Sequence, residues 1–229
     1  MRRRAFIAAS LSPLLVTSKP GIAAPAPVVL ELFTSQGCSS CPPADALLGE
    51  LANAPGIIGL AWHVDYWNHL GWRDRFARPE WTQRQREYAH YLNDEVYTPA
   101  LVVNGAAMVV GSDKTAVRRA IDQAAPSLVS VALRRTTTGL EAAIGATATP
   151  VTGLLVTYDP EQATRVDAGE NQGHRLVEYR VVREVVTLDR LTPRLALPPV
   201  PEGRGAVLLV QDIGWRVIGA ADLPPGLPG

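Results

Sequence analysis

Both cysteines of this 229-residue chain fall in one short stretch, QGCSSCPP, residues 36–43. An apolar, β-rich run precedes it, Val28-Val29-Leu30-Glu31-Leu32-Phe33, which reads as a buried strand. Residues 44–52, ADALLGELA, follow with helical spacing and put Ala44, Leu47, Leu48 and Leu51 on one face. Asn53-Ala54-Pro55-Gly56 stops that helix, and residues 57–64 form a second apolar strand. The result is a β-loop-α-β unit with Cys38 and Cys41 at the helix N-terminus. A disulfide across a two-residue spacer closes a very small loop, so it gains little chain entropy as a staple. The pair is better placed to react. A metal clamp and an inert local disulfide remain the alternatives.

The first residues carry a different signal. Met1-Arg2-Arg3-Arg4 is cationic, residues 5–16 are a short apolar run, and small residues follow at 21–26. This is the order of an export signal, and the run falls short of the ~20 apolar residues that span a bilayer. Arg3-Arg4-Ala5-Phe6-Ile7 resembles the twin-arginine signature; an ordinary export signal with a chance arginine pair is the alternative. The expectation is a periplasmic or secreted protein with no membrane span in its mature chain. Disulfides persist in such a compartment. Formal net charge is zero, which gives no basic field for nucleic acid.

Beyond residue 64 the chain keeps alternating elements for a while. A helix is expected over residues 79–92 with Pro79 in its first turn. Residues 100–103 and 106–110 read as strands joined at Asn104-Gly105, a hairpin signal. Asp113 is a candidate cap for a last helix to about residue 124. After Pro126 the texture changes to strands at 128–133, 140–144, 153–158, 176–188 and 206–211, punctuated by turn residues. Residues 191–205 are Pro-rich and read as a loop. The organisation expected is an export signal over 1–26, a first domain over 27–126, a β-rich domain over 127–222 and a loose tail over 223–229.

Strand, CxxC, helix, strand, and then Thr98-Pro99 before a hairpin is an order that resembles the thioredoxin family over roughly residues 28–125. A closer resemblance rests on LFTSQGCSSCPPAD, WHVDYWNHLGWRD, VYTPALVVNG and GENQGHRLVEYRVVR. Together these are similar to the secreted bacterial family known as domain of unknown function 1223, which has no established activity. The fold expected from these resemblances is an α/β thioredoxin-like domain followed by a β-rich C-terminal domain, an antiparallel sheet or sandwich.

The thioredoxin resemblance implies roles. Cys38 would be the nucleophile and Cys41 the buried resolving thiol. Pro99 would be a cis-proline, with the backbone of Thr98 pairing to substrate. Glu31 would be a buried acid serving Cys41, although its register is off by one; a Glu on an exposed strand face or in a structural hydrogen bond is the alternative. From the residues themselves, a thiol at a helix N-terminus is favoured as the reactive thiolate. His63 and Asp65 are candidates to move protons or bind metal. Tyr66, Trp67 and Trp72 are candidates to shape a substrate groove; core and rim packing is the alternative. The function expected is an exported thiol-disulfide oxidoreductase-like protein that needs no dissociable cofactor. Its partners would be protein thiols or disulfides, or a redox partner protein. The alternatives are a copper-binding or delivery protein using the CxxC pair and His63, and a non-catalytic binding module. The 169–174 stretch, GENQGH, reads as a tight turn; a ligand loop is the alternative.

Overall fold

The computed structural model describes residues 27–226. The export signal expected over residues 1–26 and the last three tail residues lie outside them. The elements are β1 (Val28–Thr34), α1 (Pro42–Ala52), β2 (Ile57–His63), α2 (Pro79–Leu92), β3 (Ala100–Val103), β4 (Ala107–Val110) and α3 (Lys114–Asp122). They continue with β5 (Val131–Arg135), β6 (Leu140–Ile144), β7 (Val151–Arg165), β8 (Arg175–Leu188), β9 (Arg194–Leu197), β10 (Gly205–Asp212) and β11 (Val217–Leu223).

The expected thioredoxin-like α/β domain followed by a separate β domain is corrected here. The chain is mostly β, and its main feature is one mixed eight-stranded sheet in the order β11-β10-β7-β8-β2-β1-β3-β4. Strands from both halves share this sheet. The join is a parallel pairing of β2 with β8 through Ala61 and Val181. Without it β2 would be an open edge with unpaired backbone groups. A long antiparallel ribbon, β7 with β8, supplies the partner. A second sheet of three strands, β5-β6-β9, covers the far end.

Alternation along the strands sorts the cores. On β1, Leu30 and Leu32 pack with Ala44, Leu47 and Leu48 of α1 and Val117 of α3. Val29 and Phe33 point the other way. They join Trp62, Trp81 and Tyr88, and the same cluster runs on through Val156, Val207 and Leu209. The three-stranded sheet buries Leu140, Ala142 and Ile144 against Leu155, Ala206 and Leu208. Two of the main cores therefore need residues from both halves of the main sheet or from both sheets.

Local signals are realised closely. Pro42 and Pro43 open α1, where missing N–H groups cost least. The Asp113 side chain accepts from the backbone N–H groups of Thr115 and Ala116 and caps α3. Asn104 and Gly105 take φ of 48° and 62°, the left-handed pair that a tight β-hairpin requires. β7 is much longer than the segment 153–158. β9 lies inside the expected Pro-rich loop, and β11 had no counterpart in the sequence reading.

Candidate functional site

Cys38 and Cys41 are joined as a disulfide. Cys41 is the N-terminal boundary residue of α1, and its carbonyl accepts from the N–H groups of Ala44 and Asp45. The Ser40 hydroxyl lies 3.3 Å from Cys38 Sγ. Both cysteines are 0% exposed, whereas Ser39 and Ser40 between them are open to solvent.

The peptide bond Thr98–Pro99 is cis. Pro99 stands close to the first turn of α1: Gly111 is wedged between Pro99, Leu32 and Ala44, with no room for a side chain. Trp67 packs its Cβ on Gly37, next to Cys38, and its indole N–H donates to the Thr98 hydroxyl at 2.8 Å. So Trp67, Thr98 and Pro99 gather around the disulfide turn.

Beneath that turn lies a buried polar cluster. Thr34 and His63 are register partners at the ends of β1 and β2. Both lie in the alternation on the α1 side, as do Leu30, Leu32 and Ala61. Asp45 of α1 is buried there too, one helical turn after Cys41. His63 Nδ1 is 2.6 Å from Asp74 Oδ2 and 4.0 Å from Glu178 Oε1. Gln36 Nε2 donates to Glu178 at 3.0 Å and to the Thr164 hydroxyl at 2.9 Å, and Gln36 N–H donates to Asp74 at 2.9 Å. His63 Nε2, Asp45 Oδ1 and Thr34 Oγ1 are buried with no hydrogen-bond partner.

The charges in this cluster do not balance. It holds three carboxyl groups and one imidazole. Burial raises the Asp45 carboxyl to about 7, although the His63 charge works the other way. Burial by itself would lower His63, but the Asp74 carboxylate, helped by Glu178 and Asp45, outweighs that and lifts it to about 9. Burial works to raise Asp74, and the His63 charge and hydrogen bond overcome it and hold Asp74 low. Glu178 is raised, chiefly by burial. The cluster therefore holds a His63–Asp74 ion pair beside two carboxyls, Asp45 and Glu178, whose hold on a proton burial strengthens.

Residues 29–211 match the family described as "Protein of unknown function (DUF1223)". The chain belongs to the DUF1223 family. A crystal structure of protein AGR_C_4864 from Agrobacterium tumefaciens is 30% identical, with a TM-score of 0.78 over 88% of this chain and 96% of that one. HBP35 of Porphyromonas gingivalis is 14% identical, with a TM-score of 0.56 over 90% of this chain and 79% of that one, a likeness of fold alone. No curated protein matches.

In this DUF1223 member the residues singled out from sequence divide into two groups. Cys38, Cys41, His63, Trp67, Thr98 and Pro99 come together around the disulfide. Glu31, Asp65 and Tyr66 have other partners. Glu31 faces α2, away from the α1 side, and is held by Arg84 Nε at 2.7 Å and Nη2 at 3.0 Å. Asp65 accepts from the Thr82 hydroxyl at 2.6 Å, and Tyr66 donates to Gln85 at 3.3 Å, so both are tied to α2, while the Tyr66 ring also borders Trp67, with centroids 6.3 Å apart. Trp72 donates its indole N–H to Gln36 at 3.0 Å.

Several residues of this candidate site were missed. Asp45 carried a signal, since it sits four residues after Cys41 on one helical face. Gln36, Asp74 and Glu178 lie in the stretches that carry the family resemblance, but nothing local singled them out, because only chain folding brings them to His63. Glu170 and Asn171, from the stretch read as a tight turn, bind the disulfide turn directly. Among the described residues no group of three or more His, Cys, Asp or Glu is arranged to hold a metal ion, and no helix is long and apolar enough to cross a membrane.

Proposed function

We propose that the Cys38–Cys41 pair exchanges electrons with a dithiol or disulfide partner, as a thiol-disulfide oxidoreductase does. The reading rests on one observation above all: the disulfide at the start of α1 lies one turn from Asp45, a buried carboxyl that favours its proton. A purely structural clip has no use for a proton store behind it.

The chemistry is as follows. A partner thiolate attacks Cys38 Sγ and breaks the Cys38–Cys41 bond. The electron pair leaves on Cys41 Sγ, which takes the proton of the Asp45 carboxyl. The carboxylate left behind is stabilised by the charged His63 beside it. The partner's second thiolate, its proton lost to solvent, then attacks the partner sulfur of the mixed disulfide. Cys38 departs as a thiolate, favoured by the N–H groups and positive dipole end of α1. The partner dithiol has become a disulfide and the chain has gained two electrons. Run backwards, the same steps oxidise a partner. Trp67, Thr98 and cis-Pro99 supply the wall against which the partner chain lies. An exported setting, in which disulfides persist, suits this activity.

The complete burial of both cysteines favours a second reading, in which the disulfide is a fixed clip in a binding module. Equilibration in glutathione buffers with mass-tagging of free thiols separates the two. Exchange predicts a reversible couple between roughly −270 and −120 mV, the span of known exchangers. A pair that stays oxidised well below that span, or that once reduced does not re-form, leaves the clip.

A further inference from the structure

We propose that the loop joining β7 to β8, residues 166–174, is a latch closed on the disulfide turn, and that its release gates exchange at Cys38. This inference rests on the exchange reading above and concerns the regulation of that site.

The disulfide turn projects Ser39 and Ser40 into solvent, yet its sulfurs are shut in. A partner thiolate must approach Cys38 Sγ in line with the S–S bond, and the closed site has no opening for it. Residues from far along the chain hold the backbone of this turn in its closed position. Asn171 is 4% exposed, and its Nδ2 donates to the carbonyls of Gln36 and Cys38, each at 3.0 Å. The Glu170 carboxylate accepts from the Ser39 N–H at 3.1 Å and from the Ser39 hydroxyl at 2.8 Å. Four hydrogen bonds thus bind two consecutive latch residues to the segment from Gln36 to Ser39.

The loop is built to part from this seat without unfolding the sheet. Its base is closed by its own bonds, Val166 N–H to the His174 carbonyl and Gly173 N–H to the Val166 carbonyl. These bonds end the β7–β8 ribbon and remain when the tip moves. The tip, Asp167 to Gln172, carries no large apolar side chain of its own; its apolar contact is Gly169 against Trp72, so lifting it exposes one face of that side chain. Gly169 and Gly173 flank the two latch residues at φ of 77° and 83°, conformations that glycine adopts without strain. The bonds that hold the tip are polar, and water can replace every one of them on opening. The carbonyls of Gln36 and Cys38 and the N–H of Ser39, once freed, are groups that an extended partner backbone can pair with.

The test is the rate at which the full chain loses its disulfide in dithiothreitol, followed by trapping of free thiols. Wild type is compared with Asn171→Asp, Asn171→Ala and Glu170→Gln. Asn171→Asp keeps the side chain's shape but sets a carboxylate against two carbonyls. It is expected to speed reduction at least tenfold, with Asn171→Ala close behind. Glu170→Gln, at the exposed end, is expected to give a few-fold gain. Circular dichroism identifies any variant that has lost its fold, and Glu170→Gln on the surface keeps the comparison available if Asn171 variants do not fold. Equal rates in wild type and variants, with a reversible couple present, overturn the latch and leave exchange standing. If neither wild type nor any folded variant is reduced, both the latch and the exchange reading fall.

Discussion

Two buried polar clusters flank the paired strands β1 and β2, one on each face, and they are built on opposite rules. On the α2 face, Glu31 and Arg84 form a two-pronged ion pair. The Tyr88 hydroxyl donates to Glu31 and accepts from Arg84 and from Gln211, and Arg84 also donates to Gln211 at 3.0 Å. The Arg84 guanidinium lies over the rings of Trp62, Tyr88 and Trp215. One anion meets one cation, and Tyr88 and Gln211 are paired with them, although the neighbouring Trp62 and Trp81 indole N–H groups are buried without a partner. On the α1 face three carboxyls share one imidazole, and three buried polar atoms have no partner. A charge-balanced network holds parts together, here β1, α2 and β10. An unbalanced one holds protons at a cost in stability, which is what the proposed exchange needs behind Cys41.

The largest expected effect breaks the charge-balanced side. Glu31→Ala strands the buried Arg84 charge and should cost about 3–5 kcal/mol in denaturant unfolding. It should leave the disulfide's potential unmoved. A large shift in potential would mean that the two faces are coupled.

On the other face the effects depend on pH. The folded carboxyl of Asp45 holds its proton to about 7, above its unfolded value of 3.8. The folded state therefore binds that proton more tightly, and stability falls as pH rises from about 4 to 7. Asp45→Asn should remove this fall, which amounts to a few kcal/mol at ~1.4 kcal/mol per tenfold change in proton affinity. Unfolding curves at pH 4.5 and 7.5 check it; an unchanged fall in the variant would place the stored proton elsewhere.

His63 gives a smaller effect at alkaline pH. Its folded value of about 9 lies above its unfolded 6.5. Its contribution is complete below about 6.5 and is lost as pH rises through 9. His63→Gln should flatten the stability curve between pH 7 and 9.5, which thermal melts across that range will show. The disulfide itself matters least to stability. With so short a loop, Cys38→Ser should cost about 2 kcal/mol, and a loss much larger than that in urea unfolding would favour the clip.

How far the sequence revealed this arrangement depended on how local each interaction is. The bounds of α2, the Asp113 cap and the Asn104-Gly105 hairpin were legible, because each rests on neighbours within a few residues. The β2–β8 pairing was not, since Ala61 and Val181 carry no mutual signal and only folding brings them together. Missing that pairing turned one shared sheet into two expected domains. Glu31 shows a subtler limit. Alternation along β1 separates it from Leu30 and Leu32, but the pattern does not say which face α1 will cover. Asp45 was visible in principle, four residues from Cys41, yet was passed over beside the apolar stripe. Asn171 had no local signal beyond its place in a stretch, GENQGH, that the family resemblance had marked.

The most direct test of the two-face account is the potential of the Cys38–Cys41 pair as a function of pH, in wild type, Asp45→Asn and Glu31→Gln. The account predicts a wild-type curve with a change of slope near pH 7, kept in Glu31→Gln and lost in Asp45→Asn. Three superimposable curves would contradict it, because the α1-face cluster would then have no hold on the disulfide's electrons.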